Sequence, residues 1–167
     1  RAKRMPLQHL TGSAAMGGLS LSVGAGVFIP RPETELLLEW GLGALEFFDN
    51  PTVVDLCTGS GALALSIAHA RPDAAVHAVE KDPRALYWMR RNAHERSYAG
   101  DTPIHLHGGD VTDPEVLRDL DGRADLIVCN PPYVPEGTPV PPEVRNHDPH
   151  QAVFAGRDGL DVVRHVV

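Results

Sequence analysis

The feature that most constrains the fold is a short apolar stretch followed at once by a glycine turn and a second apolar stretch. Residues 53–56 predict a buried β-strand, Gly59 and Gly61 a tight turn, and residues 62–68 a helix. This order is typical of the opening of a nucleotide-binding βαβ unit, because glycines let a ligand approach the backbone and the helix begins with free N–H groups. The spacing, Asp-x-x-x-Gly-x-Gly from Asp55, has two glycines and not the three of a dinucleotide fingerprint. An ordinary strand-to-helix turn that binds no nucleotide therefore remains an alternative interpretation at this point.

Strands and helices are predicted to alternate along the chain after residue 50. Apolar patterns and prolines predict strands near 75–80, 104–107 and 124–129, and helices near 83–97, 114–119 and from Gly159 onward. A proline-rich loop is expected to run to about residue 150. This alternation predicts an α/β fold with a parallel sheet and right-handed crossovers.

The chain before residue 50 is not predicted to continue this alternation of strands and helices. Residues 1–30 predict a β-hairpin, with a turn at Gly24–Gly26 and a strand ending at Ile29. A helix is expected from Pro32, which suits a first helical position, to about Phe48. Its predicted apolar face consists of Leu36, Leu37, Leu38, Trp40, Leu42, Leu45 and Phe48.

Polar residues follow each of the four predicted sheet strands. They are the segment from Asp55 to Gly61, then Glu80, Asp110 and Asn130. Ligands of open α/β sheets bind beyond the carboxyl ends of the strands, so these residues are expected to converge on one site. Glu80 is placed to accept hydrogen bonds from both ribose hydroxyls of an adenosyl ligand, and Asp110 from an adenine amino group. A capping role for Glu80 and a turn role for Asp110 stay open.

The segment Asn130-Pro131-Pro132-Tyr133 is the sharpest motif. Two prolines fix the backbone and lack N–H donors, which leaves carbonyl oxygens free to accept. The Asn130 side chain adds another acceptor, and Tyr133 adds an aromatic face. The combination predicts a site for a planar group that bears an NH₂, with both N–H bonds held by acceptors.

Composition narrows the function further. The 167 residues carry a formal net charge of −7, which argues against a binder of nucleic-acid backbones. No apolar run has the length of a membrane span. Cys57 and Cys129 form no metal-type pair and are expected near each other at neighbouring strand ends, as two small buried side chains. We predict no metal site and a reducing, cytoplasmic location.

Together these motifs resemble one known family. The glycine turn, Glu80 and the Asn-Pro-Pro-Tyr segment are similar to those of S-adenosylmethionine-dependent amino methyltransferases with a Rossmann-like fold. Segments 6–12, 28–35, 147–149 and 156–160 narrow the resemblance to the HemK/PrmC family, which methylates a glutamine side-chain amide in peptide chain release factors. The resemblance implies a class I S-adenosylmethionine-dependent methyltransferase fold, a parallel doubly wound sheet preceded by the β-hairpin of residues 1–30. Residues 31–167 would form the catalytic domain, with the family's last strands expected beyond Val167 and its N-terminal helical domain not encoded here.

The resemblance also assigns the site. It implies a set of cofactor-binding residues that includes the strand-end residues Asp55 and Asn130. The full set is Phe28, Arg31, Asp55, Thr58, Gly59, Ser60, Gly61, Glu80, Asp110, Val111 and Asn130. The target amide would be held by Asn130, Pro131, Pro132 and Tyr133, and Pro32 and Thr34 would border the cleft. Two departures from the family pattern are Cys57, where many relatives have glycine, and Ala155.

The implied activity is methyl transfer from S-adenosylmethionine to the N5 amide nitrogen of a release-factor glutamine, by a monomer that binds neither a membrane nor nucleic acid directly. Two alternatives stay open: a nucleic-acid amino (adenine N6) methyltransferase, and a non-catalytic cofactor-binding fragment. A nicotinamide dehydrogenase is a more distant alternative, because the third glycine is absent.

Overall fold

The fold is an α/β sheet preceded by a small hairpin, described over residues 4–167 by a computed structural model. The strands are β1 (Ser13–Met16), β2 (Leu19–Ser22), β3 (Thr52–Leu56), β4 (Ala75–Glu80), β5 (His105–Gly108) and β6 (Leu126–Cys129). The helices are α1 (Leu7–Thr11), α2 (Thr34–Ala44), α3 (Ala62–Ala70), α4 (Pro83–Tyr98), α5 (Pro142–His147) and α6 (Val163–Val166). Short 3-10 helices span Arg118–Leu120 and His150–Ala152.

The main sheet is parallel and has the strand order β5-β4-β3-β6. Val53 of β3 lies opposite Val76 of β4 on one side and Leu126 of β6 on the other. The order reverses between β3 and β6, because β4 and β5 extend the sheet one way and β6 extends it the other. This is the switch point at which open parallel sheets bind ligands, and the predicted parallel sheet is confirmed.

The hairpin is confirmed, and the chain also turns at Gly24–Gly26, but this predicted turn is not the one that joins the two strands. β1 and β2 pair antiparallel through a two-residue turn at Gly17 and Gly18, both with positive φ. Two-residue hairpins favour such dihedrals because their twist matches that of the strands. Gly24 is needed for a different reason, since a Cβ there would lie 2.5 Å from the ring of Trp88. Residues 27–29 form no strand, and α1 was not predicted.

The core lies between the sheet and helices α2 and α3. Seven consecutive residues of α3, Ala62 to Ala68, are buried, so this helix runs through the interior. A second, smaller cluster joins Val27 and Ile29 to Ala85 of α4 and is covered by Trp88. That cluster anchors the segment leading into α2 beside the carboxyl ends of the strands.

The predicted buried face of α2 is only partly right. Leu38 and Leu45 are buried, whereas Leu36, Trp40 and Phe48 are exposed. The helix contacts α3 and β6 along one stripe, with Gly41 next to Leu126 and Val128. Hydrophobicity alone does not identify that stripe, because nearly every position on the helix is apolar.

Other element boundaries also differ from the predictions. The first long helix begins at Thr34 and not at Pro32, β5 begins one residue late, and the last helix begins at Val163 and not at Gly159. Turns and a 3-10 helix replace the helix predicted over 114–119. The proline-rich loop contains α5, because Pro142 occupies its first turn, where a missing N–H costs nothing. Within residues 4–167, no helix combines the length and apolar character needed to cross a membrane.

Candidate active site

The glycine turn after β3 has the geometry that its sequence predicts. Cys57, Gly59 and Gly61 all have positive φ, of 61°, 61° and 84°. The Thr58 N–H donates to the Val79 carbonyl at 3.0 Å, which ties the turn to the next strand. The backbone therefore turns sharply into α3 while staying attached to the end of β4.

Asp55 is a buried carboxylate at the base of this turn. Its Oδ2 accepts hydrogen bonds from the Thr58 hydroxyl and from the Ala64 N–H, at 3.1 Å. Its Oδ1 is buried and has no hydrogen-bond partner among the described residues. Burial raises the pKa of Asp55 to about 7, against the opposing effect of the two hydrogen bonds. The side chain thus offers the cleft an acceptor that is not satisfied from within the chain.

Glu80 is fixed at the end of β4 by three backbone donors. Its Oε2 accepts from the Gly59 N–H at 2.9 Å, and its Oε1 from the Lys81 and Asp82 N–H groups at 2.9 and 2.8 Å. Burial raises its pKa, and the backbone hydrogen bonds oppose that shift. The predicted placement of this carboxylate beside the glycine turn is confirmed.

Asp110 is held away from the cleft by local contacts. Its Oδ1 accepts from the Thr112 N–H and hydroxyl, and its Oδ2 lies 3.3 Å from the Lys81 ammonium. The Thr112 N–H is the main reason that the pKa of Asp110 is lowered. Its neighbours Gly109 and Val111 line the cleft instead.

Asn130 follows β6, across the sheet edge from the glycine turn. Its Nδ2 donates to the Thr34 hydroxyl at 3.4 Å, a contact between residues 96 positions apart. With Nδ2 directed to Thr34, the Oδ1 acceptor is available to a ligand. The Pro131 and Pro132 backbone adds carbonyl oxygens and no N–H groups.

Two adjoining clefts meet at Asn130. The strand-end cleft has a volume of about 930 Å³, counting its open part, and contains most predicted cofactor residues: Phe28, Asp55, Thr58, Gly59, Ser60, Glu80, Val111 and Asn130. The outer cleft, of about 1220 Å³ on the same measure, contains Arg31, Asn130, Pro131, Pro132 and Tyr133. Phe28, Thr34, Asn130, Pro132 and Ala152 line both. Gly61 and Asp110, although predicted for the site, line neither.

Two loops far apart in sequence cover the clefts and are joined by an ion pair. The Arg31 guanidinium lies 2.5 Å from the Asp148 carboxylate and 4.7 Å from the centre of the Phe28 ring. Asp148 is buried, which raises its pKa while Arg31 opposes the shift. Pro149 and Gln151, which line the strand-end cleft beyond this pair, were not predicted. Only the resemblance pointed to residues 147–149, because the contact with Arg31 leaves no local pattern.

Cys57 and Cys129 lie together at the ends of β3 and β6, as predicted, but both are half-buried and not buried as expected. Both are free thiols, and the neighbouring Cys57 thiol together with burial raises the pKa of Cys129. Among residues 4–167, no group of three His, Cys, Asp or Glu side chains is arranged to hold a metal ion.

Three histidines form a second titratable group on the sheet, outside both clefts. The His77 Nδ1 lies 3.0 Å from the His107 Nε2, and the His77 and His105 rings stack at 4.5 Å. Burial, with the nearby His105, His107 and Arg123, lowers the pKa of His77 to about 4.

Known proteins are similar to this chain in sequence and in fold. The chain is 55% identical to the release factor glutamine methyltransferase of Mycolicibacterium smegmatis and 52% identical to that of Corynebacterium glutamicum, each match covering 100% of the chain. It spans 57% and 58% of the length of these curated relatives.

The hMettl16 catalytic domain, solved in complex with the MAT2A 3'UTR hairpin 6, superposes on 89% of this chain and 55% of its own, with a TM-score of 0.64 at 18% identity. That likeness confirms the predicted class I methyltransferase fold. Residues 33–142 match the family model described as the methyltransferase small domain. Fold, strand-end cleft and family model agree, and the chain therefore belongs to the methyltransferase small domain family.

Proposed function

We propose that this chain carries the catalytic part of an enzyme that transfers a methyl group from S-adenosylmethionine to the side-chain amide nitrogen of a glutamine in a peptide chain release factor. The observation that carries the proposal is the position of Asn130, whose free acceptor lies where the two clefts meet. The similarity to release factor glutamine methyltransferases supports the same substrate class.

The strand-end cleft fits the proposed cofactor. S-adenosylmethionine supplies an electrophilic methyl group on a positively charged sulfonium. The carboxyl groups of buried Asp55 and half-buried Glu80 line that cleft, and the unsatisfied Asp55 Oδ1 can accept a hydrogen bond from the bound cofactor. We assign the turn from Thr58 to Gly61 to the methionine end, Glu80 to the ribose, and the segment around Val111 to the adenine.

The chain's own residues would prepare the amide for attack. An amide nitrogen is a weak nucleophile because its lone pair is delocalised into the carbonyl group. The Asn130 Oδ1 and the Pro131 carbonyl would accept the two amide hydrogens and aim the nitrogen at the strand-end cleft, and Tyr133 would pack on the amide plane. Such positioning lowers a barrier by several kcal/mol without a strong base. The same acceptors stabilise positive charge that develops on the nitrogen.

No histidine among the described residues lines either cleft. We therefore propose direct in-line transfer without a histidine base or a covalent enzyme intermediate. We also propose that the enzyme acts in the cytoplasm as a monomer, which its two free thiols and acidic surface suit.

The test is methylation of a purified release factor by the full-length protein, with labelled S-adenosylmethionine. Asn130→Ala should reduce turnover by roughly 10²–10³-fold, as for the loss of one transition-state contact, and leave the Kd for S-adenosylhomocysteine within about threefold of wild type. Glu80→Ala is the matched control, because it should weaken cofactor binding instead. Near-normal turnover of Asn130→Ala would contradict the proposed mechanism.

The substrate assignment has its own contrary outcomes. Methyl transfer to DNA or RNA and not to release factor would identify the protein as a nucleic-acid amino methyltransferase. Saturable cofactor binding with no transfer to either would identify it as a binding module.

A further inference from the structure

The outer side of α2 is an exposed apolar surface. Leu36, Trp40 and Phe47 are 69%, 64% and 91% exposed. Leu36 and Trp40 lie one turn apart on the same side of the helix, and Phe47 follows in the turns that continue from its end. Gly43 lies between the two aromatic residues, and a Cβ there would meet no atom within 4 Å. We call Leu36, Trp40, Gly43 and Phe47 the α2 face.

The surroundings of the α2 face carry net negative charge, because Arg71, which donates to the Leu45 and Phe48 carbonyls beside it, is paired with Asp73. Glu33, Glu39 and Glu46 are exposed, and their side chains form no ion pair with any residue between 4 and 167. The sequence contains no lysine or arginine from residue 32 to residue 70. An apolar surface among uncompensated carboxylates is complementary to a partner with apolar and basic side chains.

The α2 face is continuous with the outer cleft. Glu33, Thr34 and Leu37, at the start of the same helix, line that cleft beside Asn130. The eleven residues of α2 extend about 16 Å away from it. A protein whose glutamine side chain enters the outer cleft can therefore lie along this helix.

We propose that the α2 face is the docking surface for the protein substrate, and that it binds a segment with basic and apolar side chains next to the target glutamine. This inference rests on the proposed function. A second copy of the chain would bring a second set of carboxylates to the same place, and a nucleic acid would bring phosphates. Like charges in contact disfavour both of those occupants.

The test compares two substrates with the full-length protein. One is an intact release factor, and the other is a peptide of about five residues centred on the target glutamine, too short to extend along α2. The double variant Trp40→Ala/Phe47→Ala should raise KM for the release factor about tenfold or more, as expected for the loss of aromatic anchors, with kcat unchanged. KM for the peptide and for the cofactor should stay within about twofold.

Two further variants separate docking from folding and from general charge effects. Tyr98→Ala removes an aromatic side chain that is 92% exposed on α4, and it should change neither KM. Glu39→Lys should raise KM for the release factor alone, more strongly at low salt, whereas Asp119→Lys on the surface elsewhere should not.

The outcomes are distinguishable. An unchanged KM for the release factor in both the Trp40→Ala/Phe47→Ala and Glu39→Lys variants, with normal methylation, overturns the docking inference and leaves the proposed function in place. An equal rise in KM for the peptide also overturns it. A dimer that dissociates in the double variant would assign the α2 face to self-association. Absence of methylation of either substrate by the wild type rejects the proposed function, and the docking inference with it.

Discussion

Asp55 and His77, two titratable residues on opposite faces of the sheet, respond to burial in opposite directions. Asp55 lies on the side covered by α3 and His77 on the opposite side, because side chains alternate along parallel strands. Burial disfavours whichever form is charged, so it raises the pKa of Asp55 to about 7 and lowers that of His77 to about 4. Between about pH 4 and pH 7, one sheet thus carries a neutral acid and a neutral base.

The two shifts give opposite slopes of stability against pH. Folded Asp55 keeps a proton that the unfolded chain releases near pH 3.8, so its stabilisation is lost as pH rises towards 7. In the folded protein His77 stays unprotonated at pH values where the unfolded chain already binds a proton, near pH 6.5. The free energy of unfolding therefore decreases as the pH falls towards 4. Between pH 4 and 6.5 the two contributions oppose each other, and each hides the other in the wild type.

The largest expected effect is that of Asp55→Asn, which keeps an oxygen acceptor for the Ala64 N–H but cannot ionise. In the wild type, Asp55 should lower the free energy of unfolding by about 2–3 kcal/mol between pH 5 and 8. The variant should lack that contribution. Urea unfolding at both pH values measures it, and parallel pH profiles of variant and wild type would contradict the buried neutral acid.

A smaller effect is expected from His77→Gln on the opposite face. The wild type should lose about 1–2 kcal/mol between pH 7.5 and 4.5 through this residue, after allowance for solvent screening of a half-buried ring. Glutamine can still hydrogen-bond with His107 and does not titrate, so the variant should resist acid better. The exposed His94→Gln is the matched control. If His94→Gln increases resistance to acid unfolding as much as His77→Gln does, the effect is caused by the change in overall charge and not by the three stacked histidines.

The smallest expected effect is the coupling between the two sites. The double variant Asp55→Asn/His77→Gln should show the sum of the single changes at each pH, within about 0.5 kcal/mol, because the side chains share no partner. A double-mutant cycle by urea unfolding at pH 5.5 measures this coupling. A value above about 1 kcal/mol would mean that the two faces of the sheet are coupled and that Asp55 and His77 do not titrate independently.

The sequence predicted the parts of the fold that depend on neighbours along the chain. The strand ending at Glu80 was predicted with its observed bounds, and the glycine turn, the parallel sheet and the position of the Asn-Pro-Pro-Tyr segment directly after β6 were predicted correctly. Each depends on a local pattern of apolar residues, glycine or proline. The convergence of Asp55, Glu80 and Asn130 then follows from parallel strands, whose carboxyl ends share one edge.

The features that were missed depend on contacts between distant residues. Gly17–Gly18 and Gly24–Gly26 are equally good turn signals, and packing of Trp88 against Gly24 distinguishes them only in three dimensions. Asp110, for which a turn role stayed open, bonds to Thr112 two residues further on, and its carboxylate also lies 3.3 Å from the ammonium of the distant Lys81. The Arg31–Asp148 pair joins positions 117 residues apart, for which the sequence has no periodic signal.

The strand order also has a consequence for folding. Val53 pairs with Val76 and with Leu126, and the second partner lies roughly three times as far along the chain. Closing the longer loop costs more entropy, so we expect β3 and β4 to associate before β6 joins them. Pulsed hydrogen exchange during refolding should show protected amides in β3 and β4 while those of β6 still exchange. The side of the strand-end cleft that contains Glu80 would then form before the side that contains Asn130. A nascent chain could therefore bind the cofactor before it could bind a substrate.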